Sequence, residues 1–505
     1  MSTTTTPAPN GNVLETIDGA SVRRIHLLGV AGTGMGAFAG MLKAAGYDVT
    51  GSDTNVYPPM SDMLRAWEID VMTPYDPANL DRARPDLVIV GNVIRRENPE
   101  ATAVRERGLP SMSFPAAFGS LILATRHSVV VAGTHGKTTT SALMAHVLAA
   151  AGLDPTFLVG GVTRNYDSNF RLGKGPHAVV EGDEYDTAYF DKGPKFMHYR
   201  ARTAILTSLE FDHADIYRDL PHYESAFERF AAVVPPEGQL IVSAQYPRLV
   251  AIARAHGEAP VVTYAAAPHE VPDTRFQAVD VRLGPDGARF RVRDAERGST
   301  SPEYHLPMAG YHNVENAVGV YVAARALGLT DEQIAPGFAT FAGVKRRQEP
   351  RGEIGGVLVL DDFAHHPTAV RETVAAVRAR YPDRRLLAVF EPRSNTSRRN
   401  LHQAEYGEAF EGAQHVFLRE PEPHDKVPVD QRLDAHAVVR ALEAHGIEAE
   451  VHEPVPTLVQ CVADTAAPGD VVLVMSNGAF GGFIPSLLDA LASRAARRAQ
   501  DAPNG

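Results

Sequence analysis

The feature that most constrains this chain's fold is a unit that recurs along it: a short β-branched run, a turn, then an Ala/Leu-rich amphipathic segment. A strand that is apolar on both faces has to be covered on both, which is how strands sit inside parallel sheets flanked by helices. Three blocks of this alternation follow one another and predict α/β architecture throughout. A chain of 505 residues is also too long for one hydrophobic core.

The first block predicts strands at residues 25–28, 87–90 and 110–113, another ending at Thr50, and a helix over 36–45. The second predicts strands at 128–132, 178–180 and 203–207 and a helix from 138 to 151 capped by Gly152. It closes with a hairpin across 279–292, turning at Gly284-Pro285-Asp286-Gly287, and a helix over 312–327. The third predicts strands at 357–360, 386–390, 416–418 and 471–475. The expected organisation is three domains, 22–125, 126–342 and 343–492, between a flexible tail 1–21 and a fraying tail 493–505.

A net charge of −12 and a pI near 5.9 argue against nucleic-acid binding driven by phosphate contacts, but not against a small anionic substrate. The single cysteine, Cys461, excludes an intrachain disulfide and any multi-cysteine metal site. Its neighbours Leu458, Val459 and Val462 place it on a buried helix face. No apolar run approaches the roughly 18–20 residues that span a bilayer. Met1–Ala20 lacks the basic start and apolar stretch of a signal peptide, so a cytoplasmic location is expected.

Between the strand 128–132 and its helix lies Gly133-Thr134-His135-Gly136-Lys137-Thr138. Here backbone N–H groups and a helix N-terminus can surround an anion while Lys137 neutralises it and Thr138 reaches Mg²⁺. The spacing departs from G-x-x-x-x-G-K-[ST], because Val131 stands where that pattern has its first glycine. Two neighbouring strands run into Glu181-Gly182-Asp183-Glu184-Tyr185-Asp186 and Glu210-Phe211-Asp212-His213-Ala214-Asp215. In a parallel sheet the strand C-termini share one edge, so both clusters belong beside the phosphate loop, where carboxylates suit Mg²⁺. Gly32-Thr33-Gly34-Met35-Gly36-Ala37, with Asp53 about twenty residues on, fits the pyrophosphate-binding fingerprint. By itself it allows either an NAD-dependent oxidoreductase or the diphosphate of a UDP-sugar.

The short Gly-Thr-His-Gly-Lys-Thr-Thr form resembles the phosphate loop of the Mur ligase family. The resemblance runs over about residues 22–490. Gly29-Val30-Ala31-Gly32-Thr33-Gly34-Met35 resembles that family's UDP-binding turn, which implies a UDP-sugar at Gly32, Thr33, Gly34, Met35, Ser52 and Asp53. His312-Asn313-Val314-Glu315-Asn316-Ala317, Lys345-Arg346-Arg347 and Asp361-Asp362-Phe363-Ala364-His365-His366-Pro367 resemble further family motifs. They imply ATP contacts at Gly133, Thr134, His135, Gly136, Lys137, Thr138, Asn316, Arg347 and Asp362.

The same resemblance implies Mg²⁺ at Thr138, Glu181 and His213, and Lys137, His213 and His365 at the reacting centre. Where several members carry a carbamylated lysine this chain has Ser225-Ala226-Phe227; the L-alanine-adding branch of the family also lacks that lysine, so this points to a subfamily. The implied fold is a Rossmann-like N-terminal domain, a central P-loop ATP-binding α/β domain and a Rossmann-like C-terminal domain. The implied reaction activates the carboxylate of UDP-N-acetylmuramate as an acyl phosphate and couples it to an amine. Glu391-Pro392-Arg393-Ser394-Asn395-Thr396 and Met475-Ser476-Asn477-Gly478-Ala479-Phe480 suggest the murein tripeptide L-Ala-γ-D-Glu-meso-diaminopimelate, held by Arg393 and Asn395. The alternative amine is free L-alanine.

Overall fold

A computed structural model describes residues 12–58, 60–422 and 427–501. Its strands form three large sheets. The first is fully parallel: β1 (Arg24–Leu28), β2 (Asp48–Ser52), β3 (Asp70–Met72), β4 (Leu87–Val90) and β5 (Ser111–Ser113), in the order β3-β2-β1-β4-β5. Strand order reverses beside β1, so a crevice opens at its C-terminal end, where the glycine turn leads into the helix Thr33–Ala44.

The central sheet contains β6 (His127–Ala132), β7 (Thr156–Thr163), β8 (Ser168–Arg171) and β9 (His177–Gly182). A separate hairpin follows, β10 (Asp186–Ala188) with β11 (Asp191–Pro194). The sheet resumes with β12 (Ala201–Leu206), β13 (Gln239–Ser243), β14 (Val261–Ala265), β15 (Phe276–Gly284), β16 (Gly287–Asp294), β17 (Ser299–Thr300) and β18 (Tyr304–Leu306). The order is β17-β16-β15-β14-β13-β12-β6-β9-β7-β8, with β18 on β16. β6 therefore lies between β12 and β9, parallel to both. Strand alternation divides β6 between two cores. Val129 and Val131 pack with the helices Lys137–Ala150 and Tyr311–Ala326, while Val130 and Ala132 join a core continuous with the first sheet.

The third sheet has β19 (Glu349–Ile354), β20 (Val357–Asp362), β21 (Leu386–Phe390), β22 (His415–Arg419), β23 (Glu448–His452) and β24 (Val471–Met475), ordered β19-β20-β24-β21-β22-β23. Only β19 is antiparallel to its neighbour. Among the described residues no helix is long and apolar enough to cross a membrane.

The α/β expectation holds, and the 279–292 hairpin is the β15–β16 pair. Strands that the sequence reading passed over are mostly short or polar, such as Asp-Val-Met in β3 and Ser-Asn-Phe-Arg in β8, though β13 and β14 are apolar. Both expected tails need correction where described. Leu14 N–H donates to Ser111 O at 2.8 Å and Val13 bridges Ser111, so that part of the N-terminus docks on β5. At the other end the helix Phe483–Asp501 continues past 493, where Arg494 donates to Ala466 O at 2.6 Å and ties it to the end of the helix Val455–Thr465. Residues 1–11 and 502–505 of those tails lie outside the described residues. Cys461 is half-buried at a core edge, its Sγ 4.0 Å from His452 Nδ1.

Candidate active site

Every strand around the phosphate loop contributes to its shape. Gly133 has φ +142°, and a Cβ there would stand 2.2 Å from Thr207 Oγ1 and 2.8 Å from Ser208 N at the exit of β12. Gly136 has φ +78°, and its Cβ would meet Asn316 Oδ1 at 2.7 Å. Both positions thus need glycine for conformation and for space. His135 N–H donates to Ser208 Oγ (2.7 Å), and Thr134 Oγ1 donates to Glu210 O (2.9 Å).

Lys137 is nearly buried, its ammonium held by Gly133 O at 2.6 Å and by Glu184 at 3.0 Å. Burial alone would lower its pKa, but Glu184, Asp183 and Glu181 outweigh that and raise it. Glu184 is fully buried; burial pushes its carboxyl up, yet Lys137 and His213 together hold it down to about 2. His213 Nε2 lies 2.8 Å from the same carboxylate, and Asp212 and Glu184 raise its pKa against burial. His213 has φ +56°, a strained left-handed conformation stabilised by its N–H bonding Asp212 Oδ1 at 2.7 Å.

The structure brings Thr138 and Glu181 into contact: Thr138 Oγ1 donates to Glu181 Oε1 at 2.9 Å and Gly160 N–H to Oε2 at 2.5 Å. Burial and Asp183 push the Glu181 carboxyl up, so positive charge is favoured beside it. His213 has no direct contact with Glu181 among the hydrogen bonds and ion pairs of the described residues; Glu184 and Lys137 stand between them in the network.

The third sheet closes over this edge. His365 lies with Nε2 3.8 Å from Asp212 Oδ2. Thr368 Oγ1 donates to Glu210 Oε1 at 3.0 Å, and Asn395 Nδ2 to Asp215 Oδ2 at 2.9 Å. Asn316 faces the loop through Gly136, whereas Asn313 caps locally on Ala309 O at 2.7 Å. Arg346 donates to Ser476 O and Gly478 O, while Arg347 stacks 5.2 Å above the Phe363 ring. Asp362 is buried, its oxygens taken by Gln348 N–H and Ala364 N–H, both 2.8 Å, so it positions the entry segment. Arg393 is exposed, runs across Gly478 where a Cβ would strike its guanidinium, and has no carboxylate partner among the described residues.

At the amino-terminal turn, Gly32 precedes the helix Thr33–Ala44 and Asp53 Oδ2 accepts from Ala31 N–H at 2.9 Å, fixing the turn. Ser52 differs from expectation. It sits at the strand end, but its hydroxyl is buried 2.9 Å from His26 Nε2, leaving only its backbone towards the turn, as Gly29 N–H to Ser52 O at 2.8 Å. The sequence reading placed Glu184, Glu210 and Asp212 beside the loop and His366 in a motif, but gave none of them a role of its own. Their signal was present, acids at parallel strand ends and a second histidine before Pro367, but spacing could not rank them.

Comparison with known proteins follows the same division of the chain. Residues 24–126 match the Mur ligase family catalytic domain, 131–324 the Mur ligase middle domain and 346–478 the Mur ligase glutamate ligase domain. The chain is 39% identical over 474 residues to the UDP-N-acetylmuramate–L-alanyl-γ-D-glutamyl-meso-2,6-diaminoheptandioate ligase of Escherichia coli K12, covering 94% of this chain and 99% of that one. It is 32% identical to the UDP-N-acetylmuramate–L-alanine ligase of Nitrosomonas europaea, covering 93% and 97%. Among solved structures it resembles a murein peptide ligase from Psychrobacter arcticus 273-4, with TM-score 0.66, 34% identity and 93% and 98% coverage. By these matches and the site they enclose, the chain belongs to the Mur ligase family and is an amide-bond-forming, ATP-dependent ligase.

Proposed function

We propose that this ligase joins UDP-N-acetylmuramate to the murein tripeptide L-Ala-γ-D-Glu-meso-diaminopimelate, returning recycled peptide to cell-wall synthesis. The observation that carries this choice of amine is the likeness, over nearly the whole chain, to relatives named for that tripeptide. Arg393, without a carboxylate partner among the described residues, supports it, because a tripeptide brings carboxylates that a guanidinium fork can pair.

In this reading Lys137 reaches the ATP phosphates while Glu184, itself held by His213, keeps it charged and aimed. Gly133, Thr134, His135 and Gly136 supply the backbone cradle; Asn316 and Arg347 face the base and ribose side, with Asp362 holding the segment that carries Arg347. Thr138 and Glu181 offer the hard oxygen donors that fit Mg²⁺, and His213, which stands across Glu184 and Lys137 from them, would have to release Glu184 to join as a further ligand. That ion, when bound, neutralises phosphate charge. Gly32, Thr33, Gly34 and Met35 hold the UDP diphosphate at the first crevice, where Asp53 fixes the turn through Ala31 N–H.

The sugar carboxylate attacks the γ-phosphorus, giving an acyl phosphate and ADP. The peptide amine then adds to the acyl carbon, loses a proton and expels phosphate, with His213 and His365 the candidates to accept that proton. The third domain, holding Asn395 against Asp215, keeps out the water that would hydrolyse the acyl phosphate. The test is phosphate release with ATP and UDP-N-acetylmuramate, comparing tripeptide with L-alanine. A markedly higher kcat/KM for the tripeptide is expected; preference for L-alanine would overturn the assignment.

A further inference from the structure

His135, on the phosphate loop, and His366, at the start of the helix Pro367–Arg380 in the third domain, approach each other across the domain junction with ring centroids 4.5 Å apart. Glu210, after β12, touches both. Its Oε2 lies 2.7 Å from His135 Nε2 and 3.4 Å from His366 Nδ1. Its Oε1 is engaged separately by Thr368 Oγ1 at 3.0 Å, which fixes the carboxylate plane.

The protein alone does not satisfy His366. The ring is only 6% exposed, and its Nε2 is buried with no hydrogen-bond partner. Its Nδ1 faces two groups with opposite demands, the Thr368 N–H at 3.4 Å and the Glu210 carboxylate. If Nδ1 carries the proton it donates to Glu210, and the Thr368 N–H loses its cap. If Nε2 carries it, the Nδ1 lone pair opposes the carboxylate. Protonating both nitrogens is resisted, since burial and then His135 push the ring pKa down to about 2. A cation on Nδ1 resolves this conflict, because it takes the lone pair that faces Glu210 while the proton stays on Nε2, and a neutral imidazole is the form that binds metal.

We propose that His135, Glu210 and His366 form a binding site for a Zn²⁺-class cation that bridges the phosphate loop and the third domain. One donor atom from each lies within 4.8 Å of the other two. In a tetrahedral Zn²⁺ site with bonds of about 2.0–2.1 Å, neighbouring ligand atoms are roughly 3.3 Å apart. The His366–Glu210 separation of 3.4 Å already matches, and the His135–Glu210 contact of 2.7 Å opens by a few tenths of an ångström as the cation replaces the shared proton. Two imidazoles, a carboxylate and an open fourth position make a recurrent zinc ligand set. Two imidazole nitrogens favour Zn²⁺ over Mg²⁺, which separates this site from the oxygen donors at Thr138 and Glu181. The inference does not depend on which amine the enzyme uses.

The experiment is titration of the full-length protein with Co²⁺, followed by its visible ligand-field bands, and with Zn²⁺ by calorimetry, both in excess Mg²⁺. A single equivalent of Co²⁺, displaced by Zn²⁺, is expected. His135→Gln and His366→Gln should each weaken binding at least about tenfold while melting as cooperatively as the parent chain. Because Glu450, His452 and Cys461 form a second cluster of potential ligands, Cys461→Ser is the control and should bind as the parent does. Loss of binding in Cys461→Ser, weakening in only one of the two histidine variants, or absence of a Mg²⁺-resistant Co²⁺ spectrum would each overturn the proposal.

Discussion

At the scale of single residues, Lys137 and Glu184 are each tolerable only because of the other. A buried ammonium or carboxylate left alone carries a desolvation cost of several kcal/mol, and here the pair lies 3.0 Å apart with His213 on the far side of the carboxylate. Lys137→Ala is therefore expected to lower kcat at least about a hundredfold, as removal of a preorganised charge does. It should also lower stability, because Glu184 then keeps only His213 and a long bond from the Tyr223 hydroxyl at 3.4 Å. Adding Glu184→Gln should restore much of the melting temperature without restoring turnover. Recovery of turnover in the double variant would show that Lys137 acts structurally. Arg393 is different, since no internal carboxylate holds it. Arg393→Ala should leave the fold intact and raise the tripeptide KM about tenfold or more, the value of a lost charge-assisted hydrogen bond, with little effect on ATP KM. Steady-state kinetics with each substrate varied separately checks both parts.

At the scale of elements, what holds strands in register is legible in places. Asp86, just before β4, accepts from the backbone N–H groups of Arg23 (3.1 Å) and Arg24 (2.8 Å) and from the Arg24 guanidinium (2.7 Å), pinning the start of β1. The Arg24 side-chain bond first, then the backbone bonds, hold its carboxyl down to about 2 from the usual 3.8. A depressed carboxyl contributes stability that is fully present above its unfolded pKa and lost as pH falls through the folded one. Asp86→Asn should thus melt about 2–4 °C lower at pH 7, and the difference should narrow between pH 4 and pH 2. A constant difference across that window would exclude Asp86 as the titrating group. Long apolar strands such as β6 and β24 were visible from sequence, but the edge strand β19, Glu-Pro-Arg-Gly-Glu-Ile, was not. It is held by one antiparallel partner and carries no apolar pattern, as edge strands often do.

At the scale of the whole molecule, the active site exists only when the third domain meets the central one. Many of the contacts that join them are polar, among them Thr368 to Glu210, Asn395 to Asp215 and His365 to Asp212. Such a junction opens and closes readily, which suits an enzyme that must admit three substrates and then exclude water. Thr368→Val keeps the shape and deletes one bond worth about 1 kcal/mol. It should reduce kcat roughly fivefold with little change in melting temperature, and solution scattering with a non-hydrolysable ATP analogue should show a less compact protein. Unchanged kcat and scattering would mean that closure does not pass through Glu210.

The sequence by itself determined the α/β class, the two glycine turns and the acids beyond β9 and β12, because these depend on short-range patterns: apolar runs, positive-φ glycines and helix starts. The same patterns identify Gly133 and Gly136, whose replacement meets Thr207 and Asn316 across the loop. Tertiary structure alone decided which carboxylate meets which cation. Glu181 and Glu184 stand three positions apart in the sequence, yet one takes Thr138 and the other Lys137 and His213. It also turned the Ser52 hydroxyl away from the first crevice and set His366 against Glu210. Those outcomes depend on strand order and on how two domains dock, through contacts between residues as far apart in sequence as Asn395 and Asp215, 180 positions. No local periodicity encodes such pairings; only the folded packing selects among the acids and histidines that the chain presents at one sheet edge.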